Sequence, residues 1–156
     1  MGAQLPDPAD ISKLLRSLLG CTIEFRQASD ASPTWKAGFS SLCLDDAGNP
    51  VAAFATNARA GAFMGGKLMM LPDGPLEDAA DSGELDEVLV DALSEVFNNL
   101  TVPFNAIANN PHVASKPAAP TDAVRSEADW LDKPSQTLEL TADVLGGDGR
   151  LVVLIK

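Results

Sequence analysis

The longest regular pattern of apolar residues lies between Leu85 and Leu100. Apolar side chains recur there at the i, i+3, i+4, i+7 spacing of one helix face, and they are Leu85, Val88, Leu89, Ala92, Leu93, Val96, Phe97 and Leu100. Pro103 should kink or end this helix, although Phe104–Ile107 can add a further turn. The pattern predicts an amphipathic helix that buries the apolar stripe.

Two further helices are predicted in the first half of the chain. Asp7 and Pro8 are residues typical of a helix start, the apolar positions after them share one face, and Gly20 ends the pattern. Asn57 can cap a second helix over Ala58–Leu71, whose glycines weaken the helix but allow close packing against a neighbour. The acidic stretch from Pro72 to Gly83 is predicted to be a loop.

The remaining apolar runs are short, and turn residues separate them. They predict strands over Cys21–Gln27, Trp35–Leu44, Val51–Thr56, Thr137–Leu145 and Arg150–Ile155. The turn-forming stretches 45–50 and 146–149 predict two hairpins. Residues 109–136 are rich in Pro, Ala and Ser, and we assign them only a short strand near His112–Lys116. We therefore expect one domain over residues 1–156, of class α/β in the mixed (α+β) sense. An antiparallel sheet of about five to six strands would carry the three helices.

Composition and charge narrow the possible partners. Of 156 residues, 46% are hydrophobic, which is enough for a core, and 22 acidic against 11 basic residues give a net charge of −11. Such a charge disfavours binding to nucleic acid or to an anionic membrane surface. No apolar run approaches the ~20 residues of a membrane span. The first ten residues lack the basic and apolar segments of a signal peptide. Cys21 and Cys43 lie in apolar contexts and are predicted to be free thiols, so we expect a cytoplasmic protein.

Polar residues line the opposite side of the predicted helix over Leu85–Leu100. At about 100° per residue, Asp91, Glu95 and Asn98 fall within roughly 60° of one another, and Glu84 and Glu87 extend the row. Acidic side chains at i, i+4 repel by a few tenths of a kcal/mol per pair. No Lys or Arg lies between Leu68 and Lys116 to offset this repulsion. A solvated helix face is the simplest interpretation, and a cationic partner group is the alternative.

The spacing Asp91-x3-Glu95-x2-Asn98 resembles the D/S-x3-E-x2-N helix motif of the CheC/CheX/FliY family of response-regulator phosphatases. The stretch DALSEVFN from Asp91 to Asn98 is similar to the family's D-A-L-G-E-I-G-N helix, and the order of elements over Val51–Pro72 also agrees. A single motif favours the single-site, CheX-like branch. Ser94 and Phe97 occupy positions where the family has glycines, and Thr121 occupies that of a family proline.

The resemblance implies a CheX-like fold and a phosphorylated CheY-like response regulator as partner. It implies that Glu95 and Asn98 form the catalytic site, with Asp91 and Glu95 binding the partner. A carboxamide can hold a water in line with the phosphorus without repelling the phosphoryl group, and Glu95 can pair with a lysine of the partner. No cofactor of the chain's own is implied, since the Mg²⁺ for this chemistry belongs to the response regulator.

Three functions remain open at this point. The first is a phosphatase, the second a non-catalytic CheX-like module that binds a response regulator or another signalling partner, and the third a structural or dimerisation domain. A homodimer could form if Arg150–Ile155 were a sheet edge. No metal site is predicted, because His112 is the only histidine and an open helix face lacks the enclosing loop that Mg²⁺ or Ca²⁺ needs.

Overall fold

A computed structural model describes residues 2–156 and shows a mixed α+β fold built on one seven-stranded antiparallel sheet. The helices are α1 (Pro8–Leu19), α2 (Ala58–Leu68), α3 (Asp73–Ser82), α4 (Glu87–Asn105) and α5 (Thr121–Arg125), with 3₁₀ turns at Pro33–Ala37 and Asp129–Asp132. The strands are β1 (Arg26–Gln27), β2 (Phe39–Leu44), β3 (Pro50–Thr56), β4 (Ala114–Ser115), β5 (Ala119–Pro120), β6 (Gln136–Val144) and β7 (Gly147–Ile155). The sheet order is β1-β6-β7-β3-β2-β4, and β5 also pairs with β2.

The predicted helix boundaries are confirmed where a capping residue sets them. The Asp7 carboxylate accepts a hydrogen bond from Ala9 N–H at 2.9 Å, and Gly20 ends α1 with a φ of 65°. The side chain of Asn57 accepts from Ala60 N–H at 3.0 Å and begins α2. The second helix ends at Leu68, three residues earlier than predicted (71 against 68), and Met70 follows it in the left-handed conformation with a φ of 59°.

Both predicted hairpins are present, but the second contradicts one expectation. Strand β7 pairs with β6 on one side and with β3 on the other, so Arg150–Ile155 lies in the middle of the sheet. The expectation that this strand could be an edge that pairs two chains is therefore wrong. Its backbone groups are already used by two neighbours, since the long strand β6 folds back on it through the tight turn at Leu145 and Gly146.

The first predicted strand is mostly irregular. Only Arg26–Gln27 pairs with β6, because a side chain satisfies the backbone of the preceding residue. Ser12 Oγ donates to Phe25 O at 2.7 Å and accepts from Phe25 N–H at 3.0 Å. The predicted strand from Trp35 is also shorter, since Trp35 lies in the 3₁₀ turn and β2 begins at Phe39.

The predicted acidic loop after Pro72 is wrong, because Asp73–Ser82 forms helix α3. Its one buried residue, Leu76, packs on α2 at Gly66, where a Cβ would lie only 2.2 Å from the leucine side chain. Since only one residue of α3 is buried, its sequence has no periodic apolar pattern from which the helix could be predicted. Pro75 is tolerated because the N–H groups of the first helical turn have no intrahelical partner.

The two faces of the sheet have separate cores. On β3, Phe54 belongs to the larger core, which includes buried side chains of α1, α2 and α4, whereas Ala53 and Ala55 belong to a smaller core with Trp35 and residues 124–131. The predicted burial of the α4 stripe is confirmed for most of its members, but Val88 is 50% exposed. Helix α4 continues through Pro103 to Asn105. Of the helices in residues 2–156, none has the length and apolar character needed to cross a membrane.

Candidate functional site

Helix α4 presents Asp91, Glu95 and Asn98 together on its exposed face. The carboxylate of Asp86 accepts from Leu89 N–H at 2.9 Å and fixes the start of the helix. Leu93, Val96 and Phe97, on the opposite side, are fully buried in the larger core. Because the core holds that side of the helix, the three polar side chains face solvent in a fixed arrangement, as the helical spacing predicts.

The three residues line one shallow depression of about 170 Å³, together with a second wall. Ser94 completes the α4 side, and the chain from Ser115 to Pro117 forms the opposite side. This second wall was not predicted, since residues 109–136 carry no periodic pattern. Glu84 and Glu87, which extend the acidic row in the sequence, do not line the depression.

Hydrogen bonds hold the second wall in place from two directions. Ser94 Oγ accepts from Ala118 N–H at 2.8 Å and donates to Val90 O at 2.9 Å, which links the wall to α4. Lys116 N–H donates to Leu42 O at 2.8 Å, and the hydroxyl of Ser41 donates to the Lys116 carbonyl, which links it to β2. The backbone of the wall is therefore fixed relative to both the helix and the sheet.

The polar groups of the depression are largely free to meet a ligand. Asn98 Oδ1 lies 3.4 Å from Ser115 Oγ, a long hydrogen bond. Among the groups of residues 2–156, no partner is found for Asn98 Nδ2 or for the carboxylates of Asp91 and Glu95, and all three side chains are exposed. Such groups are able to donate to and accept from a molecule that docks on α4.

The second wall contains one basic residue, whose ammonium group is directed at Glu127. Lys116, the residue that ends the interval without Lys or Arg, lines the depression, and its Nζ lies 3.4 Å from Glu127 Oε2. Both side chains are about half exposed, at 42% and 55%. The sequence gives no indication of this proximity, because the path from α4 to Lys116 depends on long-range pairing with β2.

The residues that depart from the family motif have structural explanations. Phe97 is fully buried and stacks on Phe54 with ring centroids 6.1 Å apart, so it belongs to the core. Thr121 is also buried, and its Oγ1 lies 2.6 Å from Ser40 Oγ. It links α5 to β2 and does not line the depression. Ser94 alone of the three contributes to the candidate site.

The histidine and the two cysteines of the chain do not line the depression. Within residues 2–156, no group of three or more His, Cys, Asp or Glu side chains is arranged to hold a metal ion. His112 Nδ1 lies 3.5 Å from Asp46 Oδ1 at an exposed position. Both cysteines are free, and burial raises the pKa of the Cys43 thiol to about 12, which leaves it protonated and unreactive at neutral pH.

Comparison with known proteins gives structural but not sequence similarity. No protein-family model and no curated protein matches the chain. The CheX–CheY–BeF₃–Mg²⁺ complex from Borrelia burgdorferi matches with a TM-score of 0.59 and 16% identity, covering 97% of this chain and 99% of the other. FliY from Thermotoga maritima matches with a TM-score of 0.57 and 12% identity, covering 94% and 82%. The FliM–SpeE complex from H. pylori matches with a TM-score of 0.54 and 10% identity, covering 95% and 80%.

Proposed function

Given that the chain has the fold of CheX, FliY and FliM, we propose that it is a phosphatase for a phosphorylated CheY-like response regulator. The observation that carries the proposal is the exposed pair Glu95 and Asn98, which lie one turn apart on α4 with no competing ion pair to Glu95 within residues 2–156. A CheX of the same fold has been crystallised with CheY, BeF₃ and Mg²⁺, which supports a response regulator as the partner.

The proposed reaction is hydrolysis of an aspartyl phosphate by in-line attack of water. The water oxygen forms a bond to phosphorus, the bond to the aspartyl oxygen breaks, and inorganic phosphate leaves as the carboxylate is restored. The carboxamide of Asn98 accepts a hydrogen bond from the water or donates one to it, and it holds the water opposite the leaving oxygen. Mg²⁺ bound by the response regulator neutralises charge on the phosphoryl group.

Glu95 and Asp91 position the partner on α4. Side chains three positions apart on a helix have Cβ atoms about 5–6 Å apart, so a partner lysine paired with Glu95 brings its phosphoryl group towards Asn98. Asp91 supplies a second, weaker docking charge, because it lies one turn further from Asn98. The net charge of −11 opposes attraction to an acidic partner at long range. We therefore expect a transient complex, formed in the cytoplasm and held by local pairs.

The test is to phosphorylate a panel of response regulators with a small phosphodonor and to follow the loss of acyl phosphate with and without the protein. We expect Asn98→Ala to reduce the acceleration about 100-fold with little effect on binding, and Glu95→Gln to weaken binding. Asn99→Ala is the matched control, because Asn99 is the same residue type on the same helix and does not line the depression. No acceleration with any regulator, or acceleration that survives Asn98→Ala, would contradict the proposal.

A non-catalytic docking module is the second candidate, and one contact favours it. The Ser115 hydroxyl approaches Asn98 Oδ1 at 3.4 Å, which leaves one fewer free acceptor site on the carboxamide. Binding of a response regulator without faster dephosphorylation would support this function instead. A structural or dimerisation role would be indicated by a stable dimer that binds no regulator.

A further inference from the structure

Two side chains of α4 anchor the chain on either side of the second wall. Asn105 makes two hydrogen bonds to the backbone of Val113, since its Nδ2 donates to the carbonyl at 3.0 Å and its Oδ1 accepts from the N–H at 2.9 Å. Ser94 accepts from Ala118 N–H at 2.8 Å. Between these anchors the chain pairs with β2. The backbone of Ser115 is therefore held in place relative to α4 by contacts before and after it in the chain.

Ser115 is the residue of the second wall that contacts the Asn98 side chain. Its half-buried hydroxyl donates to the exposed Asn98 Oδ1 at 3.4 Å. A hydrogen bond of this length is weak by itself. Because it comes from a residue whose backbone is fixed, it restrains the more mobile partner, which is the carboxamide of Asn98.

The next residue of α4 shows the other conformation open to an asparagine on this helix. Asn99 turns its side chain back along the helix, and its Nδ2 donates to Glu95 O at 2.9 Å. For Asn98 the carbonyl four positions earlier is Ser94 O. Within residues 2–156, the one hydrogen bond of the Asn98 side chain is instead the contact with Ser115. Bonds from a side chain to its own helix backbone compete with outside partners, so an Asn98 in the conformation of Asn99 would withdraw its Nδ2 from a docked protein.

We propose that Ser115 is a positioning residue, which holds the Asn98 carboxamide away from its own helix and turned towards the docked partner. The hydroxyl takes one acceptor site of Oδ1 and leaves Nδ2 free. In the proposed reaction Nδ2 then donates to the attacking water, whose other lone pair forms the bond to phosphorus. This inference rests on the proposed function, because the carboxamide that Ser115 holds is the group that positions the water there.

The first measurement concerns the Asn98 side chain alone and needs no partner. Relaxation of ¹⁵N in the side-chain amides gives an order parameter for each asparagine, and the signal lost in Asn98→Ala identifies that of Asn98. We expect Ser115→Ala to lower the order parameter of the Asn98 carboxamide by about 0.2. The value for Asn99, which is bonded within its own helix, should not change. Ser115→Thr keeps the hydroxyl and should keep the order parameter.

The second measurement is the dephosphorylation of a response regulator by the full chain. Ser115→Ala should lower the maximal rate about three- to tenfold and change the KM by less than about twofold, because the hydroxyl orients the carboxamide and carries none of the docking charges. Ser115→Thr should restore most of the rate. Ser126→Ala is the control, since this exposed serine does not line the depression, and it should leave rate and KM unchanged. Thermal unfolding shows whether each variant is folded.

The outcomes distinguish this inference from the function beneath it. If Ser115→Ala leaves the Asn98 order parameter unchanged, or lowers the rate no more than Ser126→Ala does, the role of Ser115 is overturned while the wild-type rate still supports the proposed function. A raised KM with an unchanged maximal rate would also overturn it, because Ser115 would then act in docking. If the wild-type protein dephosphorylates no regulator, the proposed function fails and this inference fails with it.

Discussion

The hydroxyl of Ser94 in the middle of α4 accepts a hydrogen bond of 2.8 Å from the backbone N–H of Ala118. Ala118 is only 7% exposed, so water has little room to replace the serine as the partner of this N–H. The contact ties the helix that bears Asp91, Glu95 and Asn98 to the segment that bears Ser115 and Lys116. Ser94 thus joins the two walls of the depression, at a position where the family motif that this helix resembles has glycine.

Ser94→Ala should lower the free energy of unfolding by about 1–3 kcal/mol, because it leaves the Ala118 N–H buried without a partner. Urea unfolding followed by circular dichroism measures this change. Ser126→Ala is the control, since that hydroxyl is exposed and bonds only to the nearby Ala123 carbonyl. A Ser94→Ala variant as stable as the control would show that the hydrogen bond to Ala118 adds nothing to stability.

Phe97→Ala should destabilise the protein by about 3–5 kcal/mol, because it opens a cavity in the larger core. A double-mutant cycle with Phe54→Ala tests the stacked pair, whose rings are 6.1 Å apart, and a coupling energy of about 0.5–1.5 kcal/mol is expected. Val102→Ala, on the same helix but 59% exposed, should change stability by less than about 0.5 kcal/mol. Additive effects of the two phenylalanine substitutions would argue against a specific interaction.

Gly65→Ala should lower stability by about 1–3 kcal/mol, since a Cβ there would lie 2.9 Å from the backbone carbonyl oxygen of Leu89 on α4. The same substitution at Gly74 in α3 meets no atom within 4 Å and should stabilise by about 0.5–1 kcal/mol. Thermal unfolding of both variants gives the comparison. Equal effects at the two glycines would contradict the close approach of α2 and α4.

The Asp148 carboxyl should contribute stability that depends on pH. Burial would raise its pKa, but a hydrogen bond from the Thr141 hydroxyl at 2.5 Å and one from Arg150 Nε at 2.9 Å outweigh this and lower the pKa below its usual value. A carboxyl with a lowered folded-state pKa stabilises the fold above its unfolded pKa, near 3.9. That contribution is lost as the pH falls through the folded-state pKa.

Asp148→Asn should therefore be less stable than the wild type at pH 7, and the difference should shrink steadily as the pH falls below about 4. Urea unfolding at a series of pH values measures both proteins. Asp129→Asn is the control for the loss of one negative charge, because the structure shows no side-chain hydrogen bond or ion pair for this exposed carboxyl within residues 2–156. A constant difference across the pH range would mean that the loss is not caused by ionisation.

Elements defined by local patterns were predictable. The caps of α1 and α2 depend on single side chains within a few residues of the helix start, and both hairpins depend on turn residues between apolar runs. Helix α3 was not, because its only buried anchor is Leu76, and that residue is buried by contact with Gly66 of another helix. The strand predicted from Cys21 is irregular as far as Phe25, also because of a contact with a residue outside the segment. The Ser12 hydroxyl of α1 makes hydrogen bonds to the carbonyl and the N–H of Phe25, so these groups do not pair with a strand.

The position of Arg150–Ile155 shows why the order of strands in the sheet could not be predicted from local sequence patterns. The sequence indicates a strand, but every strand has two edges, and the neighbours on each edge come from distant parts of the chain. Here β3 occupies the edge that the dimer hypothesis needed. A homodimer therefore stays a prediction without that strand as its basis.

The sequence by itself determined that Asp91, Glu95 and Asn98 share one helix face, because helical periodicity places residues three and four apart on the same side. Only the tertiary structure decided what faces them. Ser115 lies against Asn98 because its segment pairs with β2 and is held to α4 by the Ser94–Ala118 hydrogen bond, and no local pattern encodes such long-range contacts. The acidic face was predictable from the spacing of its residues, whereas the depression forms only when the segment with Ser115 and Pro117 packs beside α4 in the folded chain.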